Sequence, residues 1–179
     1  AACDIQKKEK SMEFHSFLIK YGEIGIKGKN RYMFEDALVR QIRYALSDVE
    51  GDFCVHKCHG RVYVDCSGEY DYEETVEHIS RVFGIVGICP VVRKEVKEIE
   101  ELKKDVVSYM GEMYPEGNCT FKVEARRANK RYPMNSMEIN CALGEAVLDA
   151  FPDMKVDVHN PDVHLFVDLR HDKSYIYQQ

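Results

Sequence analysis

Apolar side chains recur along this chain at two spacings, every second residue or every third to fourth, and the two spacings come in alternating blocks. Residues 14–21 read as a strand, and a glycine-punctuated loop follows over 22–29. Asn30 is placed to cap a helix running to about Ser47, with Phe34, Leu38, Ile42, Ala45 and Val49 on one side. Two short strands, 53–57 and 61–66, flank a Cys-His-Gly turn. Asp71 and Glu74 have capping-box spacing for a second helix, whose buried stripe is expected to be Val76, Ile79 and Phe83, ending at Gly84. Residues 85–92 form a further apolar strand.

The composition then shifts to Lys and Glu over 93–101, which sets a domain boundary near Lys94. A helix from about Glu98 to Met113 carries Ile99, Leu102, Val106, Met110 and Met113 on its apolar side, and Pro115 and Gly117 end it. Asn135 and Glu138 are a second capping-box pair. The helix they open is expected to line one face with Met137, Cys141, Gly144, Leu148 and Phe151, and Pro152 closes it. Strands are expected at 156–158, 163–169 and 174–177, the last two joined as a hairpin at His171-Asp172. The fold class is therefore α+β. A βαββαβ, ferredoxin-like domain over 14–94 precedes a second α/β domain over 95–179. Residues 1–13 are a polar tail set aside from the fold.

The 179 residues, 45% hydrophobic, suffice for real cores but contain no apolar run of bilayer-spanning length. The tail does not resemble a secretory signal. Seven irregularly spaced cysteines fit reduced thiols in the cytoplasm better than a disulfide framework. Charge changes the picture most. The formal net charge is −6, yet Phe121-Lys-Val-Glu-Ala-Arg-Arg-Ala-Asn-Lys-Arg-Tyr-Pro133 sets Lys122, Arg126, Arg127, Lys130 and Arg131 against Glu124 alone. Phe121, Val123 and Ala125 alternate with Lys122, Glu124 and Arg126, as in a half-buried strand, and the cations continue into a loop. A basic island in an acidic chain gives polyanions a preferred face. The stretch 48–77 is the opposite, with nine acids against Lys57 and Arg61, and is expected to face away from a bound polyanion.

Three other constellations hold chemistry-bearing residues. Tyr21-Gly-Glu-Ile-Gly-Ile-Lys-Gly-Lys-Asn-Arg31 lies between a strand and a helix, with Lys27, Lys29 and Arg31 available to an anion. It has neither Walker nor dinucleotide spacing, and a turn needing positive φ explains it equally well. Cys54-x-His56-x-Cys58-His59, with Cys66 downstream, has ligand-type residues on alternating strand positions but no second Cys-x-x-Cys, so buried thiols and a surface His are expected rather than a metal. Asp157-Val-His-Asn-Pro-Asp162, with His164 beyond it, holds an acid and a base without a nucleophile and reads as a turn. No nucleophile elbow, metalloprotease helix or kinase set is present.

Taken together, Tyr21–Arg31, the Phe121–Pro133 segment with Ser136 and Gly144, and Asn160-Pro-Asp-Val-His-Leu-Phe-Val-Asp168 resemble the N-terminal region of tRNA 4-thiouridine synthetases, the tRNA sulfurtransferases that also serve thiamine biosynthesis. The resemblance covers the chain from about Phe14 onward. It implies a ferredoxin-like domain and a THUMP domain forming a tRNA-binding arm. Arg126, Arg127, Lys130 and Arg131, with Lys122, would lie against the 3′ acceptor end, and Lys27, Lys29 and Arg31 against the tRNA body. Tyr132 or an arginine plane would stack on an unstacked base. The family's ATP-using adenylating domain carries a Ser-Gly-Gly-x-Asp-Ser loop that is absent here, so the chain is expected to be a fragment or a truncated paralogue, without catalytic residues or a cofactor of its own. A cysteine desulfurase or sulfur carrier and a second copy of the protein are the other partners the resemblance implies. The second motif is shared with other THUMP-bearing RNA modifiers. The glycine loop also resembles that of acylphosphatases, with Arg31 in the arginine's place, although the strand Phe-Cys-Val-His-Lys lacks the expected water-orienting Asn.

Overall fold

The computed structural model describes residues 14–22, 29–58 and 60–178. They fall in two compact units that divide between Val91 and Val92. In the first, strands β1 (Ser16–Tyr21), β2 (Asp52–Cys58), β3 (Arg61–Ser67) and the first part of β4 (Ile85–Glu95) alternate with helices α1 (Lys29–Ala45) and α2 (Tyr72–Ser80). The strands lie in the order β2-β3-β1-β4 and every pairing is antiparallel. Phe17 and Ile19 of β1, Val55 of β2, and Val62 and Val64 of β3 point to one sheet face. They pack there with Leu38, Val39 and Ile42 of α1 and Ile79 of α2. The period-two pattern of the strands and the period-3.6 stripe of α1 meet in this core.

Two local expectations fail here. Asn30 lies inside α1 rather than capping it. Phe83 is 84% exposed, because α2 ends at Ser80 and Thr75 with Ile79 supplies its fully buried positions. The Asp71 cap itself is present, its side chain accepting from the Glu74 backbone N–H at 2.9 Å. Cys58 pairs with Arg61 across a tight turn in which Gly60 sits at φ +72°, a conformation side chains rarely adopt.

In the second unit the later part of β4 pairs with β8 (Lys173–Gln178), followed by β7 (Val163–Leu169), β5 (Thr120–Arg127) and β6 (Lys155–Val156). β4, β8 and β7 pair antiparallel, whereas β5 runs parallel to both β7 and β6. Helices α3 (Ile99–Met113) and α4 (Ser136–Ala150) pack on one another, and α4 packs on β5. Leu102, Val106 and Met110 of α3 are buried, as the helical spacing predicts, together with Tyr109 and Asp105.

The expected face of α4 is wrong. Ile139, Leu143 and Val147 are buried, whereas Met137 is 70% exposed and Cys141 and Leu148 are exposed. Gly144 alone of the expected face is buried within the helix. Both stripes are apolar at helical spacing, and contact with β5 and α3 selects the β-branched and leucine stripe. β6 is shorter than expected and begins one residue earlier.

The capping box at α4 is complete. Asn135 Oδ1 accepts from the Glu138 N–H at 2.9 Å, and the Glu138 carboxylate accepts from the Asn135 N–H at 2.8 Å. Replacing Asn135 by Ala should cost about 1 kcal/mol, read as a lowered denaturant midpoint with unchanged slope.

Candidate nucleic-acid interface

β5 displays its charges by strand alternation. Phe121, Val123 and Ala125 are buried, while Lys122, Glu124 and Arg126 project to the other face. The parallel register places His164 opposite Lys122, Phe166 opposite Glu124 and Asp168 opposite Arg126. Glu124 is the hub of this face. It accepts from Arg126 at 3.3 Å and pairs with His164 Nε2 at 2.8 Å. Burial pushes its pKa up, but these two partners outweigh burial and hold it below the usual carboxylate range. Arg126 also lies over the Phe166 ring, 5.1 Å from its centroid, and His164 stacks on the same ring at 4.2 Å.

Beyond β5 the chain forms the basic loop. Its entry is fixed by the Ala128 N–H donating to the Leu169 carbonyl at 2.8 Å. Asn129 Oδ1 accepts from the Arg131 N–H at 3.0 Å. Arg127 turns inward, and its Nη1 donates to the carbonyls of Lys130, Tyr132 and Met134 at 3.4, 3.0 and 3.1 Å. Lys130 and Arg131 are exposed, and among the described residues neither side chain has a polar partner. Lys122, half-buried, has none either.

Tyr132 does not have the base-stacking role expected of it. It is only 8% exposed and its hydroxyl donates to the Lys97 carbonyl at 3.0 Å, so it anchors the loop. Burial, and then the charge of Glu98, raise its pKa.

Of the first-unit candidates, Arg31 is the one whose side chain is among the described residues. Lys27 lies outside the described residues, as does the side chain of Lys29. Arg31 Nε donates to Glu35 at 3.0 Å, and its Nη2 to the Gly60 carbonyl at 3.3 Å. Tyr21 shares the Glu35 carboxylate at 2.5 Å. Hydrogen bonds to Tyr21 and Glu35 raise the Arg31 pKa further above its ordinary value. Arg31 therefore ties β1, α1 and the β2–β3 turn together, which leaves the acylphosphatase alternative without a free guanidinium.

Cys54, His56 and Cys58 lie on β2, where His56 Nε2 bonds Asp65 at 2.7 Å; His59 lies outside the described residues. No group of three His, Cys, Asp or Glu residues stands ready to hold a metal among the described residues. None of the six described cysteines forms a disulfide. Among the described residues no helix is long and apolar enough to cross a membrane. Asp157 accepts from the backbone N–H groups of His159 and Asn160 at 2.9 and 3.0 Å, the side-chain turn its sequence suggests. Asp162 and Thr120 exchange bonds of 3.0 and 2.9 Å between side chain and backbone, which fixes the start of β5.

Two family models match the chain in succession, the ThiI ferredoxin-like domain over residues 16–89 and the THUMP domain over 96–178. The chain carries a ThiI ferredoxin-like domain followed by a THUMP domain. It is 58% identical over 164 residues to a probable tRNA sulfurtransferase of Lachnospira eligens, covering 92% of this chain and 42% of that relative. Among solved structures, a 4-thiouridine synthetase in complex with RNA and bound ATP matches with TM-score 0.69 and 32% identity, covering 93% of this chain and 41% of that one. A Pyrococcus horikoshii protein matches with TM-score 0.68 and 30% identity, covering 92% and 53%. The chain thus spans about two fifths of the curated relative's length, corresponding to its N-terminal part.

Signals for the loop's internal wiring were partly present in the sequence. Asn129, two residues before Arg131, is a side-chain turn former. The role of Arg127 had no such signal, because its acceptors are backbone carbonyls.

Proposed function

We propose that this chain is the tRNA-binding arm of a tRNA sulfurtransferase that makes 4-thiouridine. The observation that carries this reading is a cationic loop held open on an acidic chain. Lys130 and Arg131 are exposed and have no side-chain partner among the described residues, on the loop that follows Lys122 and Arg126 of β5. The likeness to a 4-thiouridine synthetase–RNA complex supports tRNA as the polyanion.

In this reading Lys122, Arg126, Lys130 and Arg131 neutralise backbone phosphates near the 3′ acceptor end. Such contacts set register and orientation rather than reading sequence. Lys27 and Lys29 add a weaker contact to the tRNA body, and Arg31 holds the β2–β3 turn through the Gly60 carbonyl. The acids of 48–77 face away from the RNA and disfavour wrong dockings. The arm presents the uridine to a part of the full-length protein outside this chain, which uses ATP to activate it. Sulfur comes from a cysteine desulfurase or sulfur carrier, the same sulfur transfer serves thiamine biosynthesis, and the full-length protein pairs with a second copy.

The test compares intact tRNA with tRNA trimmed of its single-stranded 3′ end. The trimmed molecule should bind at least about 10-fold more weakly, since it loses two or more phosphate contacts. Equal affinity for the two would remove the acceptor end from the account.

A further inference from the structure

Within the second unit, the basic loop folds around one of its own cations. Three alternate carbonyls, those of Lys130, Tyr132 and Met134, converge on Nη1 of Arg127. Residues 130–134 run through a turn and bends, and drawing three of their carbonyls onto one guanidinium fixes the backbone from which Lys130 and Arg131 project. The loop is also tied at the Leu169 carbonyl, at Asn129 and, through Tyr132, at the Lys97 carbonyl. Asn129 holds residues 131 and 132, its side chain accepting from the Arg131 N–H and its carbonyl from the Tyr132 N–H at 3.2 Å, and the other ties each fix one residue. Among the described residues, only Arg127 bridges residues 130, 132 and 134, the last of them just before the α4 capping residue Asn135.

We propose that Arg127 is a positioning residue for RNA binding, whose guanidinium gathers the loop carbonyls so that Lys130 and Arg131 are held at phosphate spacing. The proposal rests on the RNA-binding reading above and deepens it, since it removes one of the five cations of the segment from direct phosphate contact. A guanidinium suits this task for a geometric reason. Its terminal nitrogens are rigid, planar donors. A lysine ammonium carries the same charge but ends one covalent bond short of the Nη1 position, so it cannot meet all three oxygens without moving the backbone.

The experiment is a double-mutant cycle on the full 179-residue chain, with an unmodified tRNA transcript as the probe and affinity measured across a salt series. Arg127→Lys keeps the net charge, yet should lower the steepness of log K against log salt by up to about 1.8, the value for two lost phosphate contacts at about 0.9 each. In a Lys130→Ala/Arg131→Ala background, Arg127→Lys should then cost less than about 2-fold further, because the residues it acts through are gone. Amide exchange at Arg131 and Tyr132 should quicken in Arg127→Lys even without RNA.

Native affinity and slope in Arg127→Lys would overturn the proposal. A loss by Arg127→Lys that persists undiminished in the double-alanine background would also overturn it, because that is the behaviour of a direct phosphate ligand. Should Arg127→Lys not fold, Arg127→Gln supplies the same cycle. A native chain that ignores tRNA would sink the RNA-binding reading itself, an outcome distinct from failure of the cycle.

Discussion

Reversing two charges, Lys130→Glu with Arg131→Glu, should weaken tRNA binding about 100-fold at moderate salt, since two phosphate contacts are lost and two repulsions replace them. Neither side chain has an internal partner among the described residues, and both are exposed, so the double reversal should leave the melting temperature nearly unchanged. That separation is the point of the choice. Reversing Arg126 would also strip Glu124 of a partner, and reversing Arg127 would break three bonds to the loop backbone, so either change would mix folding with binding. A filter-binding or fluorescence titration beside a thermal melt reads both quantities. Unchanged affinity with an intact fold would move the RNA to another surface.

The second large effect concerns α4. Leu143 is fully buried there, in line with Ile139 and Val147. Leu143→Ala should cost 2–5 kcal/mol, or roughly that range, through lost burial and the cavity left behind. Met137→Ala, on the face the sequence favoured, should cost less than about 0.5 kcal/mol. Denaturant unfolding of the two variants decides between the faces. A larger loss at Met137 than at Leu143 would reverse the helix.

Why the sequence misjudged that helix is instructive. Its start was legible, because Asn135 and Glu138 are a reciprocal pair recognisable from spacing alone, and both bonds form. Its face was not. Met137, Cys141 and Leu148 repeat at helical spacing as well as Ile139, Leu143 and Val147 do. Only packing against α3 and β5 separates the two. α2 failed for a related reason, since Phe83 continues an apolar stripe that the backbone leaves at Ser80. By contrast, the α1 stripe of Leu38 and Ile42 and the alternation of Phe121, Val123 and Ala125 appear in the structure as read. There the period and the burial had only one consistent solution.

The candidate interface divides the same way. Its charge was evident from the contrast between a −6 chain and a segment with five cations. Which cations are free was not, because a sequence displays donors without showing their acceptors. Arg31 and Arg127 look as available as Lys130 and Arg131 until Gly60, Glu35 and the loop carbonyls are seen to hold them. Tyr132 misled for a similar reason, its position in a basic loop suggesting exposure while its hydroxyl reaches Lys97.

The central claim is that four cations, Lys122, Arg126, Lys130 and Arg131, meet tRNA phosphates. The most direct measurement is the tRNA affinity of the native chain across a salt series. These four contacts predict a slope of log K against log salt at least as steep as about −2.8 to about −3.6, at 0.7 to 0.9 per phosphate, and any contact made by Lys27 and Lys29 steepens it further. A folded chain whose affinity does not change with salt, or that binds no tRNA in dilute buffer, would contradict it.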